Sequence, residues 1–547
     1  MPDYDSYEAA REAFEWSFPE EYSPVTDCLR KHDPDRTALV DAPTGERYSF
    51  ADVDDAAGRL AAGLAALGVE PGDRVGVVAP QRPETPVAHM ACWTLGAVTV
   101  PMTTLFGRDA LAYRLDDAGA RVAVFDPAVR DDLAAASGDC DLEAAVELSA
   151  SPWYVGERDP PAAGTFHCDR LAYDELLEGR EPREPRAASA DTRSAIMYTS
   201  GSTGPPKGVL HSHALWAGRA AAAYNFFDGG LAPGEVCWTP ADWAWGSALG
   251  GLLLGSWHHG ATVVAAPMQG FEPAPAYELL AEYGVTRALA PPTALRMLMN
   301  GDPGAYDLAL ETVAAAGEPL TPEILEWADE AFDDLAVNEY YGQTELNLVV
   351  ANASRWFDPK PGSMGRALPG YEVAVLDRES REPLPPGELG EIAVKPDDRR
   401  VFFEEYWNRP EATAAKRHGD WCLTGDLARR DGDGHLFFES RDDDVIITAG
   451  YRVGPLEVER VLLDHPAVEQ AGVVGVPDDT RGQVIKAFVE LAPGERGDDE
   501  LRETLRERAR DRLAAYEYPR EIEFVDALPK TASGKIRRVE LRERERE

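Results

Sequence analysis

The sequence predicts an α/β fold, a large N-terminal region of helix-covered sheets followed by a small α+β C-terminal domain. Three observations predict it. Valine-rich runs alternate with helical stretches early in the chain, the pattern changes after about residue 443, and 44% of the residues are hydrophobic, ample matter for a full core. In order along the chain, Val53, Ala56, Ala57, Leu60, Leu64 and Leu67 recur at helical spacing and Gly68 ends the run. The Pro71-Gly72-Asp73 turn leads into RVGVVAP at 74–80, and a second helix-like stretch precedes AVTVPM at 97–102. Strands alternating with helices imply a parallel sheet covered on both faces. Residues 127–191 are rich in Ala, Asp, Glu and Pro and read as surface connection. The C-terminal part reads as a helix over PLEVERVLLD (455–464), strands at 471–476 and 486–491, a charged helix near 498–515 and the strand IEFV at 522–525. RERERE at 542–547 reads as a solvated or frayed end, and no internal repeat is evident.

The charge is 54 Lys+Arg against 97 Asp+Glu, or −43. Such a chain repels a nucleic-acid backbone and an anionic membrane surface. Only eight of the basic residues are lysines. Many carboxylates with few lysines suggest a halophile's protein, since a Debye length of ~3 Å at 1 M salt screens self-repulsion; a genome biased toward Arg codons explains the lysines but not the carboxylates. The six cysteines are scattered, without C-x-x-C pairs. The N-terminus lacks a basic and apolar leader pattern, and the longest apolar run, 243–257, is short of the ~20 residues of a membrane span. A cytoplasmic location is the expectation.

The most informative segment is YTSGSTGPPKGVLHSH at 198–213. Gly201, Gly204 and Gly208 let the backbone turn tightly and aim N–H groups at an anion, Thr199, Ser200, Ser202 and Thr203 add hydroxyls, and Lys207 adds positive charge. This reads as a phosphate-binding loop, distinct from G-x-x-x-x-G-K-[ST] because Pro205-Pro206 follow Gly204 and Gly208 follows Lys207.

Five further segments follow: AAGEPL (315–320), NEYYGQTEL (338–346), LTGDLA (423–428), SRDDDVIITAGYRVGPLEVE (440–459) and LPKTASGKIRR (528–538). With the loop, these resemble in order and spacing the signature segments of the AMP-forming acyl-CoA synthetase (adenylate-forming) superfamily, over residues 35–540. The stretches WTPADWAW, APPTALRML, EYYGQTE, GYRVGPLEVE and RGQVIKAFV look most like the medium-chain acyl-CoA synthetases. The resemblance implies two half-reactions. A carboxylate attacks the α-phosphate of ATP to give an acyl-adenylate and pyrophosphate, and the CoA thiol then displaces AMP.

It also implies residue roles. Thr344 and Glu345 would hold a phosphate oxygen and Mg²⁺, a hard cation suited to oxygen ligands. Gly317, Glu318 and Pro319 would lie against adenine, Tyr341 would stack on it, and Glu339, Tyr340, Gly342 and Gln343 would complete the nucleotide wall. Asp426 and Arg441 would reach the ribose, although such a pair also serves as a structural ion pair. Lys535 would neutralise charge on the reacting carboxylate and α-phosphate. Asp443 would be the hinge between a nucleotide- and acid-binding domain (1–442) and a mobile C-terminal domain (443–547). Gly450, Tyr451, Arg452, Arg481, Tyr516 and Tyr518 would meet CoA, Gly450 lining the pantetheine passage.

For the acyl pocket, relatives specific for acetate carry Trp where this chain has Gly342, so the pocket should be larger, acetate a poor substrate, and Gly342→Trp should shift preference toward short acids. Trp245 matches the family tryptophan. Trp243 is unusual and either fills part of the pocket, favouring branched or aromatic acids, or is core. His211, His213, His258 and His259 read as structural. Medium-chain, branched or aromatic acids are therefore expected. A short-chain ligase, or an adenylate-forming enzyme with another acceptor, is the alternative. The absent Walker pattern disfavours a P-loop switch, and homo-oligomerisation stays open.

ATP and CoA are polyanions, which a chain of charge −43 repels. Michaelis constants for both should worsen below about 0.5 M salt, where the Debye length exceeds ~4 Å; initial rates titrated with KCl measure this, and highest activity in dilute buffer would remove the halophile reading.

Overall fold

The valine-rich runs at 74–80 and 97–102 become neighbouring strands at the centre of one large sheet. This is a computed structural model, and it describes residues 4–149, 165–199, 205–268, 270–317, 320, 322–441, 446–478, 480–492, 494–529, 536 and 538–545. The first expected helix spans Phe50–Ala66. Ser49 caps it, its Oγ accepting from the Asp52 N–H while Asp52 accepts from the Ser49 N–H, so two end donors are satisfied together. Its buried face is Val53, Ala57, Leu60, Ala61 and Leu64.

Arg74–Val78 runs parallel between Val98–Met102 and Ala120–Phe125 in an eight-stranded sheet. Residues 127–191 depart from the surface reading. Within them, Ala144–Glu147 and Asp169–Ala172 extend this sheet in parallel, and helices Arg130–Ala136 and Tyr173–Leu177 accompany them. The strands AAVE and DRLA are too short and too poor in β-branched residues to be recognised by composition; the first pairs with Ala120–Phe125 and the second with the first.

A nine-stranded sheet carries Val236–Trp238, Arg287–Leu289, Thr312–Ala315 and Ala336–Gln343 in parallel register, then turns antiparallel at Asn347–Ala351. One core cluster joins the two sheets, with Trp93, Trp216, Trp243 and Trp257 buried in it. Ser194 anchors two of these rings: its Oγ accepts from Trp216 Nε1 at 2.7 Å and its carbonyl from Trp93 Nε1 at 2.9 Å. The apolar run 243–257 is buried here as a widened helical turn, Ser247–Leu254, continuing into Gly255–His259. No helix among the described residues is long and apolar enough to cross a membrane. A five-stranded antiparallel sheet, which composition did not suggest, includes Tyr371–Leu376, Leu389–Pro396, Trp421–Arg430 and Leu436–Arg441.

Strands up to Leu436–Arg441 pair among themselves, and so do those from Ile446–Thr448 onward. The latter are a hairpin with Tyr451–Val453 and a sheet of Val468–Asp478, Gly482–Leu491 and Glu521–Val525. Asp443 lies outside the described residues. Residues 538–545 are more ordered than expected: Arg538–Arg544 is helical, Leu541 is fully buried, and Glu545 accepts from Lys486 Nζ at 2.7 Å. The C-terminal part docks on the first through an Ala515 N–H to Leu105 carbonyl bond of 3.2 Å and an Arg512 Nε to Asp109 bond of 2.6 Å. Trp245 packs edge-on against Tyr451 and Tyr516, which stack with centroids 4.0 Å apart.

Candidate active site

A cavity of about 780 Å³ opens beyond the carboxyl ends of the parallel strands and is bordered by the 446–453 hairpin. Open α/β sheets generally bind ligands at this end.

One wall is built around Asp426, only 3% exposed. Its Oδ2 accepts from the Tyr341 hydroxyl at 2.7 Å and from Gln343 Nε2 at 2.6 Å, and Gln343 also donates to the Thr424 carbonyl at 2.9 Å. Asp426 stands opposite Arg441 in strand register; the Arg441 side chain lies outside the description. Gly317, with φ +97°, adds backbone to this wall and faces Gly450 across the opening. Glu318 and Pro319 are outside the described residues.

Glu339 also lines the cavity. Its Oε2 accepts from the Leu320 N–H at 3.3 Å, and burial pushes its carboxyl up to about 8. It is therefore a neutral acid at pH 7.

The second wall carries the root of the glycine-rich loop. Thr199 and Lys207 face each other as partners in adjacent antiparallel strands, so 200–206 leave and return at one point on the cavity. Ser200, Gly201, Ser202, Thr203 and Gly204 lie outside the described residues. Tyr198 holds this root by donating to Asp117 at 2.8 Å, and Tyr113 donates to the Pro206 carbonyl at 2.8 Å. Lys207 Nζ lies 5.3 Å from the Tyr406 ring centre, and the Tyr406 hydroxyl donates to Glu345 Oε1 at 2.6 Å. Thr344 and Glu345 border the same space, so cation, hydroxyl and carboxylate converge.

The third wall is largely apolar: Trp245, Ala248, Leu289, Met297, Leu348 and Met364, with Tyr340 stacked on Phe226 at 4.5 Å. Two sequence expectations change here. Trp243 is fully buried in the core and does not border the cavity, the commoner fate of a tryptophan. Gly342 does border it, but its absent side chain serves the backbone. A Cβ there would lie 2.1 Å from the Asn347 carbonyl oxygen, at a bulge that Asn347 closes with φ +91°. A tryptophan at 342 therefore cannot simply cap this pocket.

In the C-terminal part, Gly450 (φ +78°) and Tyr451 reach the cavity, and the preceding Ala449 N–H donates to the Arg481 carbonyl at 2.9 Å. The Arg452 side chain is outside the description. Tyr516 is 9% exposed and packed between Tyr451 and Trp245. Tyr518 instead sits among cations, with Arg520 at 4.1 Å and Arg510 at 5.3 Å from its ring centre. Lys535 and Asp443 are not described. His211 and His213 are buried, and burial lowers them to about 3 and about 4, consistent with a structural role. Sequence reasoning missed Tyr406, Lys416 and Arg219, all of which line the cavity. Arg219 had a signal, a lone charge in the small, apolar stretch AGRAAAAY.

The family model described as AMP-binding enzyme matches residues 28–407, and that for the AMP-binding enzyme C-terminal domain matches 457–535. The chain belongs to the AMP-binding enzyme family. Among curated relatives, the mouse mitochondrial acyl-coenzyme A synthetase ACSM3 is 32% identical, covering 99% of this chain and 94% of that protein. The acetyl-coenzyme A synthetase of Bacillus subtilis (strain 168) is 36% identical over 91% of this chain and 85% of its own. The solved structure of a Brucella canis acyl-CoA synthetase superposes with a TM-score of 0.71 at 32% identity, covering 99% of both chains. Within the family this chain is an adenylate-forming, AMP-forming acyl-CoA synthetase, which gives the cavity ATP, an acid and CoA to accommodate.

Two outcomes follow from this geometry. Gly342→Trp should lower stability by about 1–3 kcal/mol or more through overpacking and reduce turnover of all acids alike; thermal melts and acetate-to-hexanoate rate ratios check this, and a selective gain in acetate would contradict it. Glu339 holds a proton in the native state between its unfolded value of 4.5 and about 8, so wild-type stability falls as pH rises through that window. Glutamine does not titrate. The melting temperature of Glu339→Gln relative to wild type should therefore rise between about pH 5 and about pH 8.5, and a pH-independent difference would place the carboxylate's ionisation elsewhere.

Proposed function

We propose that this acyl-CoA synthetase prefers an acid larger than acetate, of medium-chain, branched or aromatic skeleton, and joins it to CoA through an acyl-adenylate. The observation that carries the reading is one cavity lined together by Thr199 and Lys207, by Tyr341, Gln343 and Asp426, by Thr344 and Glu345, and by an apolar set of side chains. Lys207 and the loop it closes would take the phosphates. Asp426, already oriented by Tyr341 and Gln343, would accept from the ribose hydroxyls. The apolar wall of Leu289, Met297, Leu348 and Met364 would receive the acyl skeleton, each buried methylene worth ~0.8 kcal/mol. The acid's carboxylate would then stand near Thr344, within reach of the α-phosphate.

Glu345 suits the family's Mg²⁺: its buried, hard carboxylate faces the cavity beside the Thr344 hydroxyl and the phosphate-loop root, an all-oxygen donor set that substrate phosphates would complete. Bound there, the ion would neutralise phosphate charge; the chain's part is to orient Glu345 through the Tyr406 hydroxyl. Lys535, assigned from the family motif, would stabilise charge developing on the carboxylate and α-phosphate. Gly450 at the hairpin turn leaves room for the pantetheine arm. The cations Arg510 and Arg520 around Tyr518, with Arg481 beside the same hairpin, support CoA rather than an uncharged acceptor.

Lys535→Ala should abolish acid-dependent pyrophosphate release while leaving thioester formation from supplied acyl-adenylate largely intact. Gly450→Leu should do the reverse. Gly450→Ala serves as its control, because both variants carry the same left-handed strain and differ only in bulk. Stopped assays of each half-reaction read both, and equal loss of both halves in Lys535→Ala would overturn its role.

A further inference from the structure

We propose that the acid taken by this cavity carries a second carboxylate at its far end, received by the guanidinium of Arg219. This rests on the acyl-CoA synthetase reading and names the substrate class of its acyl subsite.

Arg219 lies on the helix Ala214–Phe226, is 2% exposed and borders the cavity. Its Nε has no hydrogen-bond partner, and among the described residues no carboxylate pairs with it. The groups that act on its charge are the neutral hydroxyls of Tyr340 and Tyr371, and the Tyr371 hydroxyl is itself buried without a partner. The neighbouring His211 stays neutral because burial lowers it to about 3. Burial brings the guanidinium down only to about 10, so it remains a cation at neutral pH.

A buried cation with no counter-charge is strongly unfavourable. The chain has 97 acidic side chains, yet none among the described residues pairs with it. Nor is the arginine filling leftover space. A Cβ at Gly250 would lie 2.1 Å from its Cδ, and one at Gly246 would lie 3.0 Å from its Nη2. Two glycines four residues apart, at the start of the widened turn Ser247–Leu254, thus make the room its side chain occupies. The rest of this wall is mostly hydrocarbon, so the arrangement fits a molecule that is apolar in the middle and anionic at its far end. A guanidinium fork matches a carboxylate in two parallel hydrogen bonds. The first carboxylate reacts at the Thr344 end; the second remains chemically unchanged and supplies the missing counter-charge.

The test is the rate of acyl-CoA formation by the full chain with unbranched monocarboxylic acids and with dicarboxylic acids of equal carbon number. Wild type should favour a dicarboxylic acid in kcat/KM over its equal-length partner by about tenfold or more, and Arg219→Met should lower that ratio about 30-fold or more, the effect of truncating one side of a buried charge pair. Arg219→Lys, which keeps the charge but loses the fork, should fall between. A wild-type preference for monocarboxylic acids overturns the proposal while leaving the acyl-CoA synthetase reading standing, as does a ratio unchanged in Arg219→Met. Turnover of no acid at all overturns both. Should Arg219→Met not fold, the wild-type and Arg219→Lys ratios decide.

Discussion

The carboxylate of Asp426 ties together two of the sheets that border the cavity. Tyr341 and Gln343 reach it from the last parallel strand of the nine-stranded sheet, while Asp426 belongs to the antiparallel sheet beside it. Hydrogen bonds to a charged group contribute about 1.5–3 kcal/mol each, so these two fix the distance between the sheets and orient the carboxylate toward the opening. Just beyond them the strand must turn back. Gly342 permits the close approach and Asn347 anchors it, its side-chain amide donating to the carbonyls of Leu215 and Val401. Thr344 and Glu345 occupy that turn, so their position follows from the sheet junction.

The placement of cations reconciles an acidic chain with anionic substrates. The net charge of −43 is spread over the molecule, whereas Lys207 faces the cavity at the loop root and Arg510 and Arg520 gather around Tyr518. Three of the eight lysines lie in the two glycine-bearing motifs at 198–213 and 528–538. Cations are therefore concentrated where phosphates would bind, and Arg219 extends the same economy to the acyl wall.

Much of the fold was legible in the sequence. Helix Phe50–Ala66 and strand Arg74–Val78 declare themselves through periodicity and valine density, because each buries a continuous apolar face. The strands Ala144–Glu147 and Asp169–Ala172 did not, since each is only four residues long, too short to show a period, and is added by pairing with its neighbour's backbone. The helix Arg538–Arg544 was hidden for a related reason: in a stretch of alternating charge, one leucine, Leu541, docks it.

By itself the sequence determined the family, the two-part α/β architecture and the motifs to which phosphate and nucleotide roles are proposed, because those depend on residues close together in the chain. Only the tertiary structure decided what lines the cavity. Trp243 and Trp245 are two residues apart, yet one is core and the other borders the cavity. Gly342 reads as an open gate in the sequence and proves to be a contact with the Asn347 backbone. Arg219 reads as an ordinary helix arginine until the glycines at 246 and 250 are placed against it. Burial, clearance and the missing counter-charge are properties of neighbours distant in sequence, and only folding brings those neighbours together.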